Sequence, residues 1–351
     1  MNKTKKTFII LTPGFAASET DTNCLPAQQA FIRALNKNYP QLTIIIIAFQ
    51  YPYYKKKYDW YGNTVISLSG RNKGGLKKLI LRRKINRELK KLTTQSEVTG
   101  LLSFWLNECA YVGKKFADKN NLKHFCWLWG QDARKGNKYV SILKTKPDEL
   151  ITLSDFLQCE FQKNYSIQPS HVIPYAVNPI QFKESTFKRD IDILGAGSLI
   201  PLKQFEIFLE IVAVTKKQFP HIKAVLAGAG HEEHTLQQLI IELGLQENIR
   251  MTGELPHHEL LQLMQRTKIF LHPSSYEGFS GVCMEALYAG AQVVSFCRAM
   301  NEEIPHWHIV NSKDEMRSKA IEILNDTTIE FSRVSPYDLD ESVHRMMELY
   351  K

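Results

Sequence analysis

Two carboxylates eight positions apart bracket the run Glu277-Gly-Phe-Ser-Gly-Val-Cys-Met-Glu285. Leu271-His272-Pro273 reads as the end of a buried strand, and the residues from Gly281 onward read as a helix. Glu277 therefore belongs to a loop, and Glu285 lies about one turn inside the helix. Gly278 and Gly281 let the backbone come close to a ligand, and free N–H groups at a helix start favour phosphate. A carboxylate one turn into such a helix can accept hydrogen bonds from vicinal ribose hydroxyls, which suits Glu285. A loop carboxylate such as Glu277 would meet the group beyond the diphosphate. Two bare carboxylates would repel a diphosphate, so a cation is required. Lys203 is the candidate: it follows Gly195-Ala-Gly-Ser-Leu-Ile-Pro-Leu, just after a strand, where a helix is expected to begin. The competing reading is an ordinary strand–loop–helix with two exposed acids.

Alternating strand and helix patterns must position these residues, and they imply an α/β chain with parallel sheets. In the first half, strands are expected at Thr7–Thr12, Thr43–Phe49, Val65–Leu68, Gly100–Trp105, His124–Leu128, Leu150–Thr152 and His171–Ile173. Helices fall at Pro26–Asn36, Glu108–Lys119 and Asp155–Asn164. In the second half, strands are expected at Ile191–Gly195, Lys223–Ala227, Ile249–Thr252, Ile269–His272 and Gln292–Ser295. Helices fall at Lys203–Lys217, His234–Leu243, His257–Arg266 and Gly281–Ala289. The chain's 351 residues suit two domains. The joint is expected near Pro174–Pro179, giving residues 1–176 and 177–336, with a C-terminal helix within Tyr337–Lys351. Lys3, Lys5 and Lys6 precede an apolar run as in an export leader. That run stops at Thr12-Pro13-Gly14, so a buried first strand is the better reading.

The residues around Glu277 and Glu285 resemble the retaining GT-B glycosyltransferases of group 1 (GT4-like). The resemblance runs through Pro-Ser-x-x-Glu-Gly-Phe-Ser-Gly-x-x-x-Glu-Ala-x-x-x-Gly. It continues in Gly195–Lys203, Val225–Gly230, Ile249–Gly253 and Val172–Asn178 with Phe182, and it covers about residues 170–296. It implies two Rossmann-like doubly wound domains facing across a cleft. The N-terminal domain would take a glycan or lipid-linked acceptor, and the C-terminal domain a nucleotide-diphosphate sugar with a UDP, GDP or ADP moiety, with no metal or other cofactor required. By the same resemblance Lys203 neutralises the diphosphate, helped by the amides of Ser280, Gly281 and Val282. Glu285 holds the ribose, Glu277 contacts the donor sugar, and Gly14, Ser198, Gly230, Gly278 and Phe279 complete the donor site. Three positions depart from the family pattern. Ser198 stands in place of its phosphate-loop Arg, Gln204 in place of the Gly after its Lys, and Trp129 in place of a His before Gly130. Asp132 and Arg134 are candidate cleft residues, with local loop structure as the equal alternative.

The charge of +9 is uneven: residues 1–180 carry a net +16 and residues 181–351 a net −7. Arg71–Lys91 holds ten basic residues and one acid, Glu88. It reads as a helix with a ragged apolar stripe of Leu76, Leu79, Ile80, Ile85, Leu89 and Leu92. Such a helix can lie on an anionic membrane, receive a phosphorylated acceptor, or simply pack on a sheet. No helix-turn-helix, zinc-finger or RNP pattern appears, so nucleic acid is not an expected partner. The longest apolar run, near Leu42–Phe49, is far shorter than a spanning helix needs. Six cysteines without a C-x-x-C pair suit reduced, buried thiols in a cytoplasmic protein. His231/His234, His257/His258 and His306/His308 lack convergent partners in the sequence and read as surface or core residues. The Asp190-Ile-Asp192 spacing reads as strand-edge charge, and Gly195-Ala-Gly197 is only part of a dinucleotide fingerprint.

The expected function is a retaining glycosyltransferase of cell-envelope, lipopolysaccharide or surface-polysaccharide synthesis, cytoplasmic or on the inner face of the membrane. Trp129 and Ser198 motivate the alternative of a non-catalytic nucleotide-sugar or glycan-binding protein on the same fold. A sugar phosphorylase or epimerase is the third reading.

Overall fold

The computed structural model describes residues 6–182 and 188–351; Lys3 and Lys5 lie outside them. The chain divides into two compact units. One runs to Tyr175 and also contains Leu339–Lys351; the other is Ala176–Asp338. These divisions lie one and two residues from the expected ones.

The first unit is built on eight strands: β1 (Lys6–Gly14), β2 (Thr43–Tyr51), β3 (Lys56–Trp60), β4 (Asn63–Ser67), β5 (Glu97–Phe104), β6 (His124–Leu128), β7 (Leu150–Thr152) and β8 (His171–Val172). Their order is β3-β4-β2-β1-β5-β6-β7-β8. Every pairing is parallel except β3 with β4. Helices cover both faces, so the central strands are buried on both sides. That is why Phe8–Leu11 and Ile44–Phe49 read as unbroken apolar runs. Strand β3 was not expected. It is an edge strand whose one buried residue is Trp60, packed 4.9 Å from Phe15. Its lysines face solvent, which hides the strand in a charge run.

The helix Gly75–Gln95 buries Leu81, Ile85, Leu89 and Leu92. The expected stripe is corrected at its N-terminal end: Leu76 is 75% exposed, and Leu79 and Ile80 are each 43% exposed. The buried row begins at Leu81, four residues before Ile85, so the first turn projects apolar side chains into solvent. The C-terminal helix, Leu339–Glu348, packs on Pro26–Asn38. Asp340 takes Lys37 at 2.5 Å and the Asn38 amide at 2.8 Å. Tyr350 then fills the space that Gly100 leaves, its hydroxyl donating to the Leu101 carbonyl at 2.8 Å.

The second unit carries β9 (Ile191–Ala196), β10 (Ala224–Ala227), β11 (Ile249–Gly253), β12 (Thr267–His272), β13 (Gln292–Ser295) and β14 (Trp307–Ile309), all parallel. Their order is β11-β10-β9-β12-β13-β14. The short edge strand β14 was not anticipated. From β9 the chain first winds outward through β10 and β11, then returns to lay β12 against the other side of β9. The order therefore reverses between β9 and β12. In open α/β sheets, ligands bind at the carboxyl ends of strands at such a reversal. Asp190 and Asp192 flank the start of β9 and pair with Arg266 (2.5 Å) and Lys268 (2.8 Å).

Candidate active site

The loops after β9 and β12 meet at that reversal. After β9 the chain makes a short 3-10 turn, Pro201–Lys203, and the α-helix begins only at Phe205. The expectation that Lys203 starts the helix is thereby corrected. Gln204 sits between turn and helix in the left-handed region (φ 50°), a conformation that glycine would adopt at less cost. The Leu202 carbonyl accepts the Ser275 amide at 2.9 Å and the Ser274 and Ser275 hydroxyls at 3.2 and 3.1 Å. These bonds stitch the turn to the loop after β12 and bring Lys203 against Glu277.

Lys203 Nζ donates to Glu277 Oε1, and the side chains of both are only 16% exposed. His272, at the end of β12, reaches the same oxygen through Nε2 at 3.1 Å and lies 3.3 Å from Ser280 Oγ. Burial alone would raise the Glu277 carboxyl. The His272 hydrogen bond and the Lys203 charge overcome it and bring the group down to about 2. Burial, helped by the Lys203 charge, holds His272 below its ordinary range against the pull of Glu277. The imidazole is thus neutral at pH 7 and donates to a carboxylate.

A depressed carboxyl contributes stability above its unfolded value, and that stability is lost as pH falls through the folded value. From 4.5 to about 2, Glu277 contributes about 3 kcal/mol. Urea denaturation between pH 6 and pH 2 is expected to show this loss, and Glu277→Gln to flatten that limb. An unchanged acid limb in the variant would contradict the assignment.

The helix Gly281–Tyr288 starts from Ser280, which is also left-handed (φ 55°). The Ser280 hydroxyl does not cap the helix; it donates to Cys283 Sγ at 3.0 Å. The amides of Cys283 and Met284 fold back to the Ser280 carbonyl. Among the described residues the amides of Gly281 and Val282 have no partner at the helix end, a position that favours an anion. Gly278 is buried, as is Phe279, whose ring lies 5.9 Å from that of Tyr337.

Glu285 is buried on the second turn of this helix. Its Oε1 lies 2.9 Å from His257 Nε2, and its other oxygen has no partner among the described residues. The reading of His257 without an acidic partner is corrected. Burial disfavours its imidazolium, but the hydrogen bond and charge of Glu285 outweigh burial and raise His257 above its ordinary value. The stabilisation from this pair is complete below about pH 6.5 and fades as pH rises through the folded value. An NMR titration is expected to place His257 above 6.5 in the parent protein and below it in Glu285→Gln, where burial acts unopposed. A His257 that titrates identically in both would contradict the pairing.

The loops after β9, β10 and β11 are laced by backbone bonds: Gly197 N to Ala227 O (3.0 Å), Leu199 N to Ala229 O (2.9 Å) and Gly228 N to Gly253 O (2.8 Å). They enclose a cavity of about 250 Å³ lined by Gly197, Ser198, Ala227, Gly228, Ala229, Glu254, Leu255 and Leu260. Gly230 serves the lacing: a Cβ there would lie 2.2 Å from the Leu199 carbonyl oxygen.

Residues 177–326, nearly the whole second unit, match the family described as glycosyl transferases group 1. The second unit is a group 1 glycosyltransferase domain. The phosphatidylinositol N-acetylglucosaminyltransferase gpi3 subunit of Schizosaccharomyces pombe is 29% identical over 133 residues, 38% of this chain and 29% of that protein. The UDP-N-acetylglucosamine–peptide N-acetylglucosaminyltransferase GtfA subunit of Streptococcus parasanguinis is 25% identical over 256 residues, 67% of this chain and 48% of that protein. The chain thus spans about half of these relatives or less. Among solved structures, sucrose-phosphate synthase from Thermosynechococcus elongatus superposes with a TM-score of 0.72 at 15% identity, over 98% of this chain and 95% of that one. HepE from Anabaena, solved in complex with UDP-glucose, gives 0.68 at 15% identity, over 97% and 94%. These likenesses extend through both units, so the fold is GT-B.

Within the glycosyltransferase domain, the departures from the family pattern have local consequences. Ser198 is exposed and lines the glycine-rich cavity without supplying charge. Among the described residues Lys203 is the one lysine paired with Glu277. Gly14, Trp129, Asp132 and Arg134 lie in the other unit. Gly14 ends β1, where its carbonyl accepts the Thr12 hydroxyl at 2.7 Å. Trp129 joins an aromatic cluster, with ring centroids 4.9 Å from Trp127 and 5.7 Å from Trp105. Asp132 is buried, and it accepts the amides of Leu106 (3.0 Å), Gly130 (2.9 Å) and Trp129 (3.1 Å). Arg134 is exposed and donates to Gln131 Oε1 at 3.1 Å. Cys159 is exposed, a correction to the expectation of buried thiols. Among the described residues no cluster of three or more His, Cys, Asp or Glu could hold a metal.

Proposed function

We propose that the protein is a retaining glycosyltransferase that moves a sugar from a nucleotide diphosphate to a glycan or lipid-linked acceptor in cell-envelope or surface-polysaccharide assembly. The observation that carries this reading is the cluster at the β9–β12 reversal: Lys203, Glu277 and His272 beside an uncapped helix start. In this reading the nucleotide base enters the glycine-lined cavity, and Glu285 Oε2 accepts from the ribose. The amides of Ser280, Gly281 and Val282 receive the diphosphate. Glu277 engages the sugar hydroxyls through its remaining oxygen, with His272 fixing its orientation. As the sugar leaves, charge grows on the diphosphate, and a preorganised ammonium and helix amides stabilise it most where water is scarce. Incubation with UDP-, GDP- and ADP-sugars, beginning with UDP-N-acetylglucosamine, is expected to release nucleoside diphosphate and give a product with the donor's anomeric configuration by NMR. Inverted product would reject the retaining assignment. Donor binding without release would favour a binding protein.

Peripheral attachment at the cytoplasmic face of a membrane is part of the proposal. No helix among the described residues is long and apolar enough to cross a membrane. Exposed Leu76, Leu79 and Ile80 stand among Lys73, Lys77, Arg83 and Lys84, and exposed Tyr53 and Tyr54 adjoin Lys55. Lys84 is lowered by its contact with Lys55, a like-charge neighbourhood that an anionic surface would relieve. Sedimentation with vesicles is expected to require acidic lipid, and Leu76→Asp to reduce binding about ten-fold or more. Equal pelleting with neutral vesicles would contradict this attachment.

A further inference from the structure

A second cavity, about 270 Å³, lies wholly within the first unit at the carboxyl ends of β1, β2 and β5. The strand order reverses between β1 and β5, so this is again where an open α/β sheet takes ligands. Its wall includes Gln50, Asn72, Lys73, Lys78, Asn107 and one acid, Glu108. That acid is already engaged. Lys78 Nζ lies 2.6 Å from its Oε2, Arg82 grips both oxygens, and the Tyr139 hydroxyl donates at 2.7 Å. Burial alone would raise the Glu108 carboxyl, but these three donors hold it below the usual range. One carboxylate therefore faces two cations. Lys73 adds a third that has no ion pair among the described residues. The cluster is left with a charge of about +2 beside neutral amides suited to hydroxyls.

We propose that this cavity binds the anionic group of the acceptor, a phosphate ester on a small polyol or sugar. An uncompensated cation in a concave polar site favours charge-assisted bonds to such an oxyanion. The volume, at the small end of ligand pockets, fits one phosphorylated polyol or one headgroup. The word acceptor rests on the transferase reading; the anion site itself does not.

Calorimetry with sn-glycerol 3-phosphate and glucose 1-phosphate, against glycerol and glucose, tests the soluble source. Phosphatidylcholine vesicles carrying phosphatidylinositol, against vesicles carrying the same fraction of phosphatidylserine, test a lipid headgroup at equal surface charge. The esters are expected to bind about ten-fold or more tightly than glycerol and glucose, and the inositol lipid more tightly than the serine lipid. Lys73→Glu should abolish that preference, Lys73→Arg keep it, and Lys119→Glu, at the far end of the helix Glu108–Asn120 from the cavity, leave binding unchanged. Response only to vesicles, with the same Lys73 dependence, assigns the headgroup as the source. No preference in either arm, or a preference that survives Lys73→Glu, overturns the proposal. Binding of UDP, GDP and ADP measured alongside reports on the second unit. Absence of all three would sink the transferase reading and leave the anion site standing.

Discussion

Lys203→Ala is expected to lower nucleotide-sugar turnover by about 10²–10³-fold, the range for removing one preorganised charge-stabilising group from an active site. On the proposed transferase reading the loss should fall mainly on kcat, because the charge that Lys203 would meet is largest as the diphosphate departs. Removing the lysine also leaves Glu277 largely buried, with His272 its only side-chain donor among the described residues. Breaking one partner of a fully buried pair costs about 3–5 kcal/mol. This pair keeps some solvent contact, so about 1–3 kcal/mol is expected by urea denaturation. The double variant Lys203→Ala/Glu277→Gln separates the two effects, because it should recover stability without recovering turnover. Lys203→Arg should retain part of the rate. A kcat within about three-fold of the parent enzyme in Lys203→Ala would remove the lysine from the chemistry.

Gly228→Ala is expected to be the most damaging of the small substitutions. Its φ of +139° is one that side chains rarely adopt, and a Cβ would lie 1.8 Å from the Gly197 carbonyl oxygen. The obstacle is backbone, which cannot swing aside. The loops after β9 and β10 would have to part, breaking the Gly197 N to Ala227 O bond and opening the cavity that those loops line. A loss of about 3 kcal/mol or more is expected, with weaker nucleotide binding at temperatures where the variant stays folded. Gly244→Ala is the control. It is also left-handed (φ +64°) but meets nothing within 4 Å, so it should cost only about 1–2 kcal/mol. Equal effects at the two positions would show that steric approach is not what the glycine at 228 provides.

The contrast between Lys203 and His272 shows which features were legible in the chain. Glu277, Gly278, Gly281 and Glu285 follow one another through a single loop and helix, so their spacing alone fixes their relation. Lys203 could be named because a diphosphate between two acids demands a cation and the loop after β9 offers one. His272 and His257 were missed because their roles depend on tertiary pairing. His257 meets Glu285 across 28 residues of sequence, and nothing local marks it. A polar residue closing the apolar strand Ile269–Leu271 was the available signal for His272. Strands β3 and β14 escaped because short edge strands bury few residues and so lack a period. The basic helix was recognised, but its phase was misjudged: Leu81, not Leu79 or Ile80, begins the buried row. Phase is set by the sheet beneath a helix, which the helix's own sequence does not contain.

Paired binding measurements test the central claim most directly. UDP, GDP and ADP are each compared with their parent nucleosides, in the parent protein and in Lys203→Ala. At least one diphosphate is expected to bind about thirty-fold or more tightly than its nucleoside, as two or more charge-assisted bonds would give, and most of that advantage should vanish in the variant. Nucleoside and diphosphate binding alike, or a diphosphate advantage untouched by the loss of Lys203, would contradict the account.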